Sequence, residues 1–446
     1  MASLTLMREP SSAFVRARDY CSRGLPWVSK GSLALLDQGL ISGSNFAIGI
    51  LLARWLVPQQ FGAYALAFSI FLFLYGFHDA LLLEPMSVLG PTTYAKCLPA
   101  YLGKLIKLHF VLALSFSGLV AAGIAVLHYF TSDPALPSAL WGVALVTPLI
   151  LFFWLCRRAT YLRLAPAMAV GGASAYFVVA MGLLFLIKTL GHLSTFTAFF
   201  IQSLAATVAA CLLLASLRPQ LDSRSGPTTS EVVREHWRYG RWVVGTQFVY
   251  WLSGSAYYLI SAAFLRMQDV AALRALQNFT SPFAQFITAV SLLLLPWSSA
   301  RFAEEGPVLF RRRIRQITLL FVAVASGYYA ALWLFGEKLI RIFYAGRYTE
   351  YAHLLPLLAA PVLVLAVAQG NSIAVQAMQS PSNVLFAYSI AGATTVALGV
   401  PLTRHWGLPG AAVGILISYL AYFITISLRC QARLRQGQAV RTGAGT

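Results

Sequence analysis

Inside the long apolar runs of this chain stand a few polar and charged side chains, and a buried polar group in such a run is costly enough to imply a task. Tyr75, His78 and Asp79 fall at i, i+3 and i+4, and Glu84 and Pro85 follow. A carboxylate beside an imidazole is what a proton or cation relay requires, so His78, Asp79 and Glu84 are candidates for coupling; the alternative is a hydrated cluster at a membrane interface. Upstream, Gln38, Ser42, Asn45 and Gly49 recur at helical spacing with Asp37 beside them. Such a face either lines a cavity, with Asp37 as a cation or proton site, or lets helices approach closely. Gln247, Trp251 and Tyr258 share a third face, flanked by Tyr250 and Tyr257. There Trp251 offers a flat surface to a sugar or other amphipathic ligand, or packs as an ordinary aromatic. Arg274 and Asn278 complete the cavity-lining candidates, because an anionic substrate needs a cation; Arg266 and Arg54 lie further out. Gln285, Gln369, Asn371 and Gln376 add polarity without charge.

None of these sets is catalytic. The chain has no P-loop, no HExxH, no GxSxG and no long loop with paired carboxylates, so neither an enzyme nor a cofactor site is expected. Five cysteines at 21, 97, 156, 211 and 430 make no CxxC pair, and no metal site is expected.

The elements that must position these residues are membrane helices. Of 446 residues, 59% are hydrophobic and 11% charged, and the mean hydropathy is +0.71. A spanning helix needs roughly 20 apolar residues, and continuous blocks rather than ten-residue alternation exclude a barrel. The expected fold is all-α and polytopic, with about twelve transmembrane helices at 32–56, 61–83, 108–129, 139–156, 166–187, 195–217, 242–265, 272–294, 317–335, 354–377, 384–403 and 408–428. The basic segment 1–31 lacks the pattern of a cleaved signal, so the first helix is expected to stay in the mature protein.

The formal charge of +19 follows the loops. Most Lys and Arg fall at the two termini and in alternate connections, which places both termini in the cytoplasm and makes the charge a topology signal rather than a nucleic-acid surface. The run Arg311, Arg312, Arg313, Arg315 is then a further topology signal or, on the other reading, a contact with anionic lipid head groups at about 1 kcal/mol per charge. A polar stretch at 218–241, with Pro219, Gly226 and Pro227, divides the chain. Ser42-Gly43-Ser44 recurs as Ser253-Gly254-Ser255, and Leu82, Leu83, Pro85, Ser87 as Leu293, Leu294, Pro296, Ser298, at the same displacement. Six intervening helices return the chain to the same side, so the expectation is two parallel six-helix lobes, 32–217 and 242–428, with a cytoplasmic segment 1–31, a cytoplasmic linker 218–241, a cytoplasmic tail 429–446 and a substrate path between the lobes.

The stretch from Asp37 through Ser42-Gly43-Ser44-Asn45-Phe46, Leu51-Leu52-Ala53-Arg54-Trp55-Leu56 and Pro58-Gln59-Gln60-Phe61-Gly62-Ala63-Tyr64 resembles the opening of bacterial polysaccharide-export and O-antigen-type proteins. These form a branch of the multidrug, oligosaccharidyl-lipid and polysaccharide (MOP) flippase superfamily. The resemblance implies a flippase for undecaprenyl-pyrophosphate-linked oligosaccharide, serving exopolysaccharide or O-antigen biosynthesis by alternating access in the bacterial inner membrane. It implies that lipid-linked substrate and membrane lipids as partners, with polysaccharide polymerase and assembly proteins as candidates. It also implies a coupling role for an acidic residue on the first helix, which here is Asp37. The alternative function is a cation-coupled multidrug exporter, and a third, a membrane enzyme of polysaccharide assembly, is disfavoured by the short loops.

Overall fold

A computed structural model describes residues 12–129, 134–221, 226–378 and 380–443. Its helices, in chain order, are α1 (Ser12–Trp55), α2 (Pro58–His78), α3 (Glu84–Leu89), α4 (Leu98–Leu127), α5 (Ala135–Leu162), α6 (Pro166–Thr189), α7 (Thr195–Leu217), α8 (Thr229–Gly254), α9 (Ala256–Phe264), α10 (Met267–Asn278), α11 (Ser281–Tyr344), α12 (Leu355–Ala377), α13 (Pro381–Thr394) and α14 (Val400–Gly443). The described residues contain no strand. The all-α membrane architecture expected from composition is the one observed.

Nine helical segments among the described residues are long and apolar enough to cross a bilayer. The segment 382–435 is 54 residues long, enough for more than one crossing of about 20 residues. Within it Gly407 leaves helical geometry at φ 65° and ψ −142°, just where the sequence places a connection between 403 and 408. Two of the expected spans, 242–265 and 272–294, are instead broken into shorter pieces, at Ser255 between α8 and α9 and at Phe279–Thr280 between α10 and α11.

Several helix ends run past the apolar blocks read from the sequence. α4 begins ten residues before the apolar block at 108, α5 runs six past 156, and α8 begins at Thr229 rather than 242. The apolar length is set by the hydrocarbon thickness, whereas a helix continues for as long as its backbone bonds and caps are met. At α8 the Thr228 side chain accepts from Glu231 N–H at 3.3 Å and Glu231 reaches back to Thr228 N–H at 2.8 Å. These bonds hold the Glu231 carboxyl below its usual range and start a helix inside the stretch read as a linker. For the same reason α11 runs helically through 295–316, a polar connection by sequence. Polarity there signals water, not loss of helix.

Packing before the 218–228 connection centres on α5, which touches α2, α4 and α7, while α1 lies against α6. After it, α12 packs on α11 and α14, and α13 on α14 and α8. α2 joins the two sets, running antiparallel to α8 and meeting α10 as well. Six contacts fasten this seam. Gly62 lies against Met267, Ser69 Oγ donates to Ser255 O at 2.8 Å, and Trp251 Nε1 donates to Ser69 O at 2.9 Å. Gln247 Nε2 donates to Asp79 Oδ2 at 3.0 Å, Gly240 lies against Ala80 O, and His236 Nδ1 donates to Leu81 O at 2.9 Å. The last carbonyl belongs to a π turn, Asp79–Leu83, whose wider winding makes backbone groups available to a neighbour.

The close approach at Gly62 tolerates no side chain: a Cβ would stand 2.0 Å from the Met267 carbonyl oxygen. Gly62→Val is therefore expected to lower the melting temperature of the purified protein in detergent by several degrees, because backbone must move. An unchanged melt would mean that α2 and α10 do not meet here.

Candidate functional site

The polar residues picked out by sequence assemble into three groups rather than one. The first lies on α1. Asp37 is fully buried and is held by α5: Arg157 Nε donates to both carboxylate oxygens at 2.8 and 3.0 Å, Arg157 Nη2 stands 2.7 Å from Oδ2, and Tyr161 Oη donates to Oδ2 at 2.5 Å. Gln38 Oε1 accepts from the same guanidinium at 3.3 Å. On the other side, Gln38 Nε2 and Ser42 Oγ both reach Gln285 Oε1 of α11 at 3.3 Å. Asn45 is exposed well inside α1, and Gln285, in the second turn of α11, is exposed beside it. An amide facing lipid at that depth is costly, so this face borders a polar space between α1 and α11. A narrow cleft bordered by Asn45, Phe68, Phe71, Trp154, Tyr176 and Gln202 opens beside it.

The second group surrounds Arg274. Because α10 starts at Met267, Arg274 sits two turns inside the helix, not in its first turn, and faces α2 and α9. Its guanidinium carbon lies 5.1 Å from the Phe68 ring centre and 5.8 Å from that of Tyr258, and Nη1 donates to Tyr258 Oη at 3.4 Å. Tyr258 Oη donates in turn to Gln277. Arg274 Nε is enclosed and has no partner. Asn278, also buried, donates to Tyr344 Oη at 3.4 Å and lies against Gly49 of α1. The helix break that follows is satisfied locally: Tyr328 Oη donates to Phe279 O at 2.6 Å and Ser281 Oγ to Asn278 O at 2.9 Å. The fixed arginine stands between aromatic walls with one buried N–H unpartnered, a charge chemistry suited to an anionic oxygen.

The third group is the α2–α8 seam. Asp79 meets Gln247, and Glu84, half-buried, follows the π turn. Trp251 spends its indole N–H on Ser69 O and sets its ring 4.8 Å from Phe73, so it works here as a fastening between helices. His78 does not touch Asp79's partner; it turns the other way, to His109 of α4 at 2.9 Å.

These elements, in this order, occur together in solved structures. A multidrug resistance MATE family transporter of the MOP superfamily in its inward-facing conformation superposes with a TM-score of 0.78 at 14% identity, over 90% of this chain and 99% of that one. Its outward-facing conformation gives 0.63 at 14% identity, over 93% of this chain and 96% of that one. A MOP superfamily transporter from Pyrococcus furiosus, described by a reversed polarity of its binding pocket, gives 0.64 at 13% identity, over 92% and 96% of the two chains. The fold is the MATE fold. No family model and no curated protein matches the chain.

Within the MATE fold the residues missed by sequence are the partners. By sequence Arg157 and Tyr161 fall in a connection, because α5 outlasts its apolar block. By sequence His109 falls at the edge of a span, whereas α4 begins at Leu98 and carries it three turns inward. Gln277 and Tyr344 gave no signal beyond being polar in apolar surroundings.

Proposed function

We propose that this chain is a membrane transporter working by alternating access, with an undecaprenyl-pyrophosphate-linked oligosaccharide as cargo moved across the bacterial inner membrane. The observation that carries the reading of the cargo is Arg274, held by Phe68 and Tyr258 with its enclosed Nε unpartnered. A pyrophosphate offers the oxygens such a donor lacks. The amides of Gln38 and Asn45 on α1 suit sugar hydroxyls. The two six-helix lobes, with both termini cytoplasmic, are the moving bodies of this reading, and the solved inward-facing and outward-facing relatives in fold support two states.

The test is the lipid-linked intermediate in a deletion strain. The expected result is accumulation of a complete repeat unit on its lipid carrier together with loss of surface polymer, both read by mass spectrometry and carbohydrate staining. Unchanged polymer with no intermediate would reject the cargo. A second reading, a cation-coupled drug exporter, draws on the multidrug transporters that share the fold and on Asp79 at the α2–α8 seam. It expects increased drug resistance on overexpression and no lipid-linked intermediate. The transporters that share the fold support a transporter over an enzyme of polymer assembly.

A further inference from the structure

Two arginine-rich stretches far apart in the sequence, 309–316 with four arginines and 429–435 with three, hold no carboxylate. The fold brings them side by side. Phe310 and Ile314 of α11 share one buried cluster with Ile426 and Cys430 of α14, and Leu434 packs on it. With those side chains turned inward, Arg311, Arg312 and Arg315 on α11 and Arg429, Arg433 and Arg435 on α14 are left exposed. Arg311 lies close enough to the Cys430 thiol for its charge to act on it, so the two rows adjoin. None of the six pairs with a carboxylate among the described residues. Arg429 is held by Phe386 of α13, whose ring centre lies 4.1 Å from its guanidinium carbon.

The apolar surface beside these arginines fixes the depth at which they stand. Leu420, Ile424 and Leu428 are exposed at i, i+4 and i+8 on α14, one helix face turned to hydrocarbon. The same face continues through Gln431 to Arg435, about 10 Å past Leu428 at the helical rise. On α11, exposed Leu319 stands one turn from Arg315. The charge therefore begins where the hydrocarbon face ends, in the head-group layer, which is about 5–8 Å deep on each side of a bilayer. Positive charge in a connection is enough to set topology, and it does not require two connections to carry that charge on adjoining helices. We propose that the exposed arginines of α11 and α14 form one seat for the phosphate of an anionic phospholipid, phosphatidylglycerol, in the cytoplasmic leaflet, with an acyl chain along Leu420, Ile424 and Leu428. Guanidinium forks match phosphate oxygens, and each such charge at the membrane surface strengthens binding about fivefold. When occupied, the seat ties α11 to α14. The inference does not depend on the cargo.

The experiment is native mass spectrometry of the full-length protein released from micelles supplied with equal amounts of phosphatidylglycerol and phosphatidylcholine. The expected spectrum carries a retained phosphatidylglycerol. Replacing Arg311, Arg312 and Arg315 by glutamine, or Arg429, Arg433 and Arg435 by glutamine, weakens its retention on the order of a hundredfold, and combining the two sets removes no further lipid. Arg404→Gln, at an exposed arginine elsewhere on α14, leaves it in place. In the unaltered protein, phosphatidylglycerol raises the melting temperature in neutral detergent and phosphatidylcholine does not. Salt at about 1 M, where charges are screened within about 3 Å, abolishes the rise, so the seat is tested even where a variant fails to insert. Retention indifferent to either set, a second lipid lost only in the combined variant, or a melting rise that survives salt overturns the proposal. Displacement of the phosphatidylglycerol by an equal amount of undecaprenyl phosphate would also overturn it, by giving the seat to the carrier lipid.

Discussion

Replacing Arg274 with alanine is expected to cut export on the order of ten- to a hundredfold while the protein is still inserted. A hydrogen bond to a charged group contributes about 1.5–3 kcal/mol, and each 1.4 kcal/mol is about tenfold. The loss is specific to position. Arg266, one helix start away, is 76% exposed and pairs with Asp269 at 3.5 Å, so Arg266→Ala should stay within about twofold. Arg274→Lys should fail to restore export, because an ammonium replaces the planar fork lying between Phe68 and Tyr258 with a point charge. The readout is the ratio of lipid-linked intermediate to surface polymer in a complemented deletion strain, normalised to protein in the membrane. Equal losses at Arg266 and Arg274, or none at either, would remove Arg274 from the cargo site.

The second large effect concerns stability. Asp37 is fully buried and Arg157 is 17% exposed, so deleting either partner strands a charge away from water. Asp37→Ala and Arg157→Ala are each expected to cost about 3–5 kcal/mol, and the double replacement by leucine much less than the sum. Thermal unfolding in detergent measures all three, and additive losses would mean that the pair is not coupled. The milder Asp37→Asn keeps the Tyr161 and Arg157 donors supplied with an acceptor and should reduce export with the protein still inserted. Export retained in the double leucine variant would identify Asp37 as a fastening of α1 to α5 rather than a cation site.

Asp37 also shows what the sequence makes legible. Its helix and the polar face shared with Gln38, Ser42 and Asn45 follow from spacing alone. Its partner does not, because Arg157 is 120 residues away and stands just past an apolar block that ends before its helix does. His109 is hidden for a related reason: the apolar block starts late, so a histidine three turns inside α4 looks like an edge residue. Arg274 is conspicuous by its charge, but the same boundary effect hides how far inside its helix it lies. Hydropathy reports where lipid is, and the chemistry of this chain lies where helix and lipid do not end together. Trp251 is the converse case, a residue conspicuous by type whose indole N–H is already committed to Ser69.

The fastening of α2 to α8 and α10 bears on the freedom left to the molecule. Pulling those helices apart would break the Ser69, Trp251, Asp79 and Leu81 bonds together, at about 1 kcal/mol each, and would open two backbone contacts at Gly62 and Gly240 as well. α1 is tied to α11 by two long bonds to a single exposed amide, Gln285. Motion of one set of helices against the other is therefore easier as a swing about α2 than as a separation along it.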